Sequence, residues 1–172
     1  MSATIKQALK NGDICIFETD TVVGIGCIPT SKNLNKIYEI KNRPLEKKLP
    51  WLVADLNMAY KYIKADFNDN IVKSKWPGKT TFIFNSLKGG TLALRQPATE
   101  ELQKIMSEID SPIVCTSANI SGEPAVSSIK DVNSHILKSA DFVYDKKLNL
   151  TQTNKSSEII DLTKDKLVVI RP

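Results

Sequence analysis

The densest group of side chains able to bind a ligand follows a short apolar run in the second half of the chain. Ile113 and Val114 are typical of a buried strand. The hydroxyl and amide side chains that follow are Thr116, Ser117, Asn119 and Ser121. Gly122 and Pro124 then predict a turn. In α/β proteins, small polar groups at the end of a strand contact ligands at the carboxyl edge of the sheet. A polar turn held by its own Asn and Ser side chains is the alternative interpretation.

Positively charged side chains and further hydroxyls are spread along the rest of the chain. The residues of the combined group are Lys41, Arg43, Lys47, Arg95, Arg171, Thr19, Thr91, Ser117, Asn119 and Ser157. Such groups suit reactions catalysed by positioning and charge neutralisation, of which phosphoryl and nucleotidyl transfer are examples. An arginine also suits a bidentate contact with a substrate carboxylate. Each residue alone is better explained by a surface ion pair or a turn, so only the joint pattern indicates a site.

Other chemistries lack the residues they need. His135 is the only histidine and lies in a predicted helix, which disfavours a hydrolase with a histidine base. A zinc site is disfavoured too, because the cysteines are far apart and no Cys-x-x-Cys occurs. Gly78-Lys79-Thr80 is similar to the end of a phosphate-binding loop. However, Lys73 stands where that motif needs a glycine, and a β-prone run follows, so we predict no such loop.

The composition indicates a globular protein of one domain. The chain has 172 residues, of which 41% are hydrophobic and 25% charged. Cys15, Cys27 and Cys115 are predicted to be buried, reduced thiols. We expect no membrane helix and no secretory signal, and hence a cytoplasmic protein. The net charge of +5 fits either a solvated basic surface or an attraction for nucleotide phosphates or RNA.

Strands and helices alternate along the sequence, which predicts an α/β fold with a twisted mixed sheet. Strands are predicted at 13–17, 22–27, 49–53, 80–84, 92–95, 113–116, 142–144, 159–162 and 167–170. A helix is predicted from Ser31, as its N-cap, to about Lys41, where Pro44 prevents continuation. Further helices are predicted at the N-terminus, in two short stretches before Trp76, at 99–109, and from the cap Ser128 to Ser139. Residues 146–157 are predicted to form a mobile loop.

Five motifs in this order resemble the YrdC-like family, the threonylcarbamoyl-adenylate synthases of tRNA modification. They are residues 18–26 (ETDTVVGIG), 41–44 (KNRP), 76–78 (WPG), 92–97 (LALRQP) and 116–124 (TSANISGEP), and residues 157–162 and 169–171 match as well. The pair of motifs Lys41-x-Arg43 and Ser117-x-Asn119 is the family's hallmark. The resemblance covers nearly the whole chain and implies a single-domain YrdC-like fold over 1–172, with helices flanking the sheet around a concave basic cavity. It is closest to the short bacterial form, since the chain ends where the longer form adds a second domain.

The resemblance implies a reaction of L-threonine, bicarbonate and ATP that gives L-threonylcarbamoyl-adenylate and pyrophosphate. The family's carbamate attacks the α-phosphate, with Mg²⁺ expected on the phosphates. A separate transferase complex would then use the adenylate to modify adenosine 37 of certain tRNAs, and binding of tRNA itself is possible.

Site residues carry over from the family position by position. The implied catalytic residues are Lys41, Arg43, Ser117 and Asn119. The same four residues, with Lys47, Thr91 and Arg171, would bind ATP. Arg95 would bind the threonine carboxylate, and Thr19, Cys115 and Ser157 would complete the amino-acid pocket. Glu18, Asp20, Val23 and Ala125 depart from the family pattern, which leaves selectivity for threonine less well defined.

Two other functions are alternatives to the synthase. A module that binds double-stranded RNA or tRNA without catalysis could use the same basic surface, although few aromatic residues are present for stacking. An enzyme of the hydrogenase-maturation type shares this kind of domain. That type is disfavoured because it carries extra acylphosphatase-like and zinc-finger segments.

Overall fold

The computed structural model describes residues 4–145, 152–164 and 166–172. The described residues form two compact units, one within Met1–Leu49 and Ile113–Ser156, and one within Pro50–Pro112 and Ser157–Pro172. Each unit combines helices with parallel and antiparallel strands, so the predicted mixed α/β class is confirmed. Within the described ranges no helix is long and apolar enough to cross a membrane. The prediction of one family domain over 1–172 stays a prediction.

The first unit holds four strands in the order β7-β1-β2-β6. Its elements are α1 (Ile5–Asn11), β1 (Cys15–Glu18), β2 (Val23–Cys27), α2 (Ser31–Ile40), β6 (Ile113–Ser117), one 3₁₀ turn (Ile129–Asp131), α6 (Ser134–Ser139) and β7 (Phe142–Val143). Strand β2 runs antiparallel to β1 and to β6, and β7 runs parallel to β1. Strands β1 and β2 are buried on both faces, which explains their continuous apolar sequences.

Two glycines allow β2 to approach β6. A Cβ atom on Gly24 would lie 2.6 Å from the Cys115 sulfur, and one on Gly26 would lie 2.5 Å from the Val114 carbonyl oxygen. Side chains at these positions would therefore force the strands apart. The two glycines bring the end of β6 against the loop that joins β1 to β2.

The second unit holds five strands in the order β3-β5-β4-β8-β9. Its elements are β3 (Trp51–Leu52), α3 (Leu56–Tyr60), α4 (Asp69–Lys73), β4 (Thr80–Asn85), β5 (Thr91–Arg95), α5 (Glu100–Ile109), β8 (Glu158–Asp161) and β9 (Val168–Arg171). Strand β4 pairs antiparallel with β5 and parallel with β8, which pairs antiparallel with β9. Trp76, Phe82 and Phe84 pack together with ring centroids 5.8–6.0 Å apart and form the aromatic centre of this unit.

Most predicted elements are present, with bounds that differ by one or a few residues. The N-cap of α2 is Thr30, whose side chain accepts from the Asn33 N–H, not Ser31. The predicted strand at 49–53 shortens to Trp51–Leu52.

The single helix predicted from Ser128 to Ser139 is wrong. Ser128 caps only the 3₁₀ turn, and Val132 is extended. The Asn133 side chain then accepts from the His135 N–H and begins a separate α6. An asparagine that binds the backbone in this way competes with a continuous helix.

Further predictions concern the cysteines, the histidine, the Gly78 segment and one loop. The cysteines are buried and free, as predicted. His135 is exposed, as expected for a surface histidine. Gly78 precedes strand β4 and not a helix, so the structure gives no phosphate-binding loop there. Of the loop predicted at 146–157, residues 146–151 lie outside the described ranges, and the Thr153 N–H donates to the Asp20 carbonyl oxygen (3.0 Å).

Candidate active site

Strand β6 ends in the polar segment that the sequence singled out. The Ala118 N–H donates to the Val23 carbonyl oxygen (2.8 Å), which holds the chain against β2 just past the strand end. The Asn119 amide nitrogen donates to the carbonyl oxygens of Ile120 (2.9 Å) and Glu123 (2.7 Å), closing the turn that Gly122 makes with a φ of 97°. The turn interpretation and the site interpretation of this segment are therefore compatible, because Asn119 uses only its nitrogen in the turn.

The other side-chain atom of Asn119 is unusual. Its Oδ1 is buried and has no hydrogen-bond partner within the described ranges, and only 8% of the residue is exposed. A buried acceptor without a donor costs free energy, so such atoms are rare in folded proteins. This oxygen is therefore an acceptor whose bonding the described residues do not satisfy.

Lys41 joins helix α2 to this polar segment. The residue lies at the C-terminal end of α2, is 1% exposed, and donates from Nζ to the carbonyl oxygens of Ser117 and Asn119. Its own carbonyl oxygen accepts from the Ser121 N–H (2.8 Å). The two hallmark motifs contain Lys41, Arg43, Ser117 and Asn119. Direct hydrogen bonds join Lys41 to Ser117 and Asn119.

Burial changes the pKa of the Lys41 side chain. Desolvation by burial, and after it the nearby Arg43 charge, lowers the pKa of Lys41 from 10.5 to about 8, while Cys115 opposes the change. The Lys41 ammonium is therefore charged at neutral pH but loses its proton more easily than an exposed lysine. A partly desolvated cation at the end of a strand is suited to binding phosphate.

Arg43 organises the segment that follows α2. Its Nε and Nη2 donate to the carbonyl oxygens of Lys47 (2.7 Å) and Lys48 (3.1 Å), and burial lowers its pKa. The Arg43 N–H donates to the Tyr38 carbonyl oxygen (2.9 Å), after Asn42 with a φ of 48°. The predicted end of the helix before Pro44 is confirmed, and the Lys47 side chain is exposed.

Thr19 begins the loop between β1 and β2. Its hydroxyl donates to the Val22 carbonyl oxygen (2.7 Å), lies 2.9 Å from the Thr21 hydroxyl oxygen, and accepts from the Thr21 and Val22 N–H groups. Thr19, Asp20 and Thr21 are all buried. Thr19 therefore shapes the loop, and its methyl group lies beside Gly24, close to Cys115.

In the second unit, Arg95 and Thr91 occupy opposite ends of β5. Arg95 is 5% exposed and donates from Nη1 to the Gly78 carbonyl oxygen (3.3 Å), while Thr91 begins the strand. Four residues of a strand span about 13 Å. The structure therefore keeps Thr91 apart from Arg95.

Ser157 and Arg171 lie together where β8 begins. The Arg171 Nε and Nη2 donate to the Ser157 carbonyl oxygen (2.9 and 2.6 Å), and Nη2 is 3.3 Å from the Ser157 hydroxyl oxygen. That hydroxyl also lies 2.8 Å from the Thr81 hydroxyl oxygen. These bonds place the predicted ligands Ser157 and Arg171 in one cluster of the second unit.

The sequence interpretation missed Thr81 and Glu158. Thr81 is 3% exposed and contacts Ser157, and the Glu158 carboxylate accepts from Thr80 and Lys75 (2.9 Å each). Two threonines at the start of an apolar strand are only a weak sign of a functional site. Because buried hydroxyls need hydrogen-bond partners, the pair does predict polar side chains nearby.

No cluster of three or more His, Cys, Asp or Glu side chains suited to a metal ion occurs in the described parts of the chain.

Comparisons with known proteins agree with the motifs. The Sua5/YciO/YrdC family model, described as telomere recombination, matches residues 7–172. A protein of Methanocaldococcus jannaschii is 31% identical over 179 residues, which cover 97% of this chain and 83% of that protein. The threonylcarbamoyl-AMP synthase of Blochmanniella pennsylvanica is 30% identical over 142 residues, which cover 74% of this chain and 73% of that protein.

The fold is also similar to a solved structure of this group. The crystal structure of P. abyssi Sua5 complexed with L-threonine has a TM-score of 0.83 and 25% identity, and the match covers 97% of this chain. This chain spans about half (52%) of the length of that Sua5 chain. The similarity confirms the predicted YrdC-like fold, while the predicted basic cavity stays a prediction.

Proposed function

The chain belongs to the Sua5/YciO/YrdC family, and from this premise we propose that it is an L-threonylcarbamoyl-adenylate synthase. The observation that carries the proposal is the direct bonding of the buried Lys41 ammonium to the backbone of Ser117 and Asn119. Relatives named threonylcarbamoyl-AMP synthase and the Sua5 complex with L-threonine support the choice of substrates.

The proposed reaction has two steps. The amine of L-threonine takes up bicarbonate and forms a carbamate with loss of water. A carbamate oxygen then attacks the α-phosphate of ATP, the bond to the β-phosphate oxygen breaks, and pyrophosphate leaves with the electron pair. No strong general base is needed at the second step, since the carbamate is already an anion. Charge neutralisation and positioning supply most of the catalysis in such a transfer.

Residues of the first unit are proposed to bind the phosphates. Lys41 provides positive charge at the end of β6, and the Arg43 charge is near enough to lower the pKa of Lys41. Lys47 is exposed on the following segment. Ser117 and Asn119 contact phosphate or the carbamate. Mg²⁺ is carried to the enzyme by ATP, where it neutralises phosphate charge.

The amino-acid ligands are proposed on the basis of the family motifs. Arg95 binds the threonine carboxylate, with Ser157 as a further ligand. Thr19 and Cys115 stay predicted contacts of the amino acid. Thr91 and Arg171 remain proposed contacts of the nucleotide. Arg171 also donates two hydrogen bonds to the Ser157 carbonyl oxygen, which suits a role in positioning Ser157.

We place the product in tRNA modification. The adenylate is an activated carbamate, and a separate transferase complex in the cytoplasm would move the threonylcarbamoyl group to adenosine 37 of certain tRNAs. Binding of tRNA by this chain itself is not needed for the reaction.

A pyrophosphate-release assay tests the proposal. Purified protein with ATP, Mg²⁺, bicarbonate and L-threonine is expected to release pyrophosphate, and omission of threonine or bicarbonate should abolish the release. Arg43→Ala should reduce the rate, whereas Lys130→Met, which removes an exposed lysine of the 3₁₀ turn, should not. Folded protein that releases no pyrophosphate but binds RNA duplexes with strong salt dependence would refute the synthase and support the RNA-binding alternative.

A further inference from the structure

The hydroxyl of Ser157 forms hydrogen bonds with two side chains. Arg171 approaches through Nη2 (3.3 Å), and the Thr81 hydroxyl oxygen lies at 2.8 Å. The guanidinium can only donate, so Ser157 is the acceptor in the first bond. The direction of the second bond depends on which of the two hydroxyls carries the proton between them.

The burial of Thr81 fixes that direction. Thr81 is 3% exposed, and Ser157 Oγ is the one hydrogen-bond partner of its hydroxyl in the described residues. If Ser157 donated to Thr81, the Thr81 proton would be buried without an acceptor, at a cost comparable to a lost hydrogen bond. Thr81 therefore donates to Ser157.

The Ser157 oxygen then accepts two hydrogen bonds, which occupy both of its lone pairs. Its proton points away from Thr81 and Arg171, and Ser157 is only half-buried, so the proton can reach a ligand. Hydrogen bonds donated to a hydroxyl strengthen the bond that it donates in turn. The positive charge of Arg171 adds a preference for an anionic acceptor.

We propose that Thr81 is a positioning residue that fixes Ser157 as a hydrogen-bond donor to a ligand carboxylate. The assignment of that carboxylate to L-threonine rests on the proposed function. Thr81 itself does not contact the ligand; it acts through the Ser157 hydroxyl.

Three variants of neighbouring threonines isolate this role. Thr81→Val keeps the shape and removes the donor, and Thr81→Ser keeps the donor. Thr80→Val is the matched control, because Thr80 is also buried (4% exposed) on β4 but donates to Glu158 (2.9 Å). L-threonine is titrated into each protein while the NMR signal of the Ser157 amide is followed. The rate of adenylate synthesis is measured separately.

The expected result is an affinity for L-threonine about fivefold weaker in Thr81→Val, because the Ser157 proton is no longer held in one direction. Thr81→Ser should restore the affinity and Thr80→Val should keep it. In the rate assay, KM for threonine should rise in Thr81→Val with KM for ATP unchanged.

The outcomes separate this inference from the proposed function. Equal affinities of Thr81→Val and the parent protein, or an equal loss in Thr80→Val, would overturn the positioning role even if the protein makes adenylate. No shift at Ser157 with L-threonine would overturn the assignment of the carboxylate. Threonine binding that depends on Thr81 in a protein that makes no adenylate would support this inference and refute the synthase alone.

Discussion

Replacing Lys41 by methionine should change how the stability of the protein depends on pH. The Lys41 ammonium is buried at the end of α2, and desolvation lowers its pKa from 10.5 to about 8. In the unfolded chain the same group titrates near its ordinary value. Between these two pH values the unfolded chain binds a proton that the folded protein does not.

The magnitude follows from the two pKa values. Where the unfolded state holds the extra proton, the free energy of unfolding rises by about 1.4 kcal/mol per pH unit. The pKa of about 8 in the folded state, against 10.5, corresponds to about 3 kcal/mol in total. This contribution is complete above pH 10.5 and is lost as the pH falls through about 8. Methionine has a similar length and no proton, so the variant should lack the rise.

The ionisation of two cysteines changes the free energy of unfolding in the opposite direction as the pH rises. Burial raises the pKa of Cys15 and of Cys27 from 9.0 to about 12. Their contribution to stability is complete below pH 9.0 and is lost as the pH rises through about 12. The parent protein alone would therefore show a mixed profile above pH 9.0. Both thiols are present in the Lys41 variant, so their effect cancels in the difference between the two proteins.

Urea denaturation of both proteins at pH values from about 7 to about 10.5 measures this difference. We expect the free energy of unfolding of the parent protein, minus that of Lys41→Met, to be flat near pH 7 and to rise by about 3 kcal/mol towards pH 10.5. Lys138→Met, which removes an exposed lysine of α6, is the control and should show no such rise. A difference that stays flat or falls with pH would refute a depressed pKa for the buried Lys41.

Two further substitutions test how the end of β6 is built. Gly24→Ala places a methyl group 2.6 Å from the Cys115 sulfur, so urea denaturation should show a loss of about 1–3 kcal/mol, and adding Cys115→Ala should recover much of it; an unchanged midpoint in the single variant would contradict the close packing. Asn119→Ala leaves the carbonyl oxygens of Ile120 and Glu123 without their donor, which should cost about 1–3 kcal/mol in the same assay. It should also strongly slow adenylate synthesis, and a parental rate would remove Asn119 from the proposed site.

Much of the fold could be predicted because local patterns determine it. The apolar runs at β1, β2 and β6 predict buried strands, and Pro44 marks the end of α2 correctly. The helix expected from Ser128 to Ser139 failed because the Asn133 side chain accepts from the His135 N–H and begins a separate α6. Such a side-chain bond to the backbone competes with a continuous helix, and apolar periodicity alone does not show it. The choice between Ser31 and Thr30 as N-cap could not be made, since adjacent hydroxyl residues are both good caps.

The sequence indicated which residues of the first unit lie together, but not the contacts that join them. The motifs at Lys41 and at Ser117 and Asn119 predict that these residues act together, and their hydrogen bonds confirm that they lie together. The hydroxyl pair of Thr81 and Ser157 depends on the parallel register of β4 and β8, which no local pattern encodes. The unpartnered Asn119 oxygen likewise results from packing around a whole turn.

The most direct test of the central claim is mass spectrometry of the reaction product with bicarbonate labelled by heavy carbon. Purified protein is incubated with ATP, Mg²⁺, L-threonine and the labelled bicarbonate. The account predicts a threonylcarbamoyl-adenylate that carries the label and disappears when threonine is left out. Folded protein that binds ATP but yields no labelled adenylate would contradict the assignment of this chain as a threonylcarbamoyl-adenylate synthase.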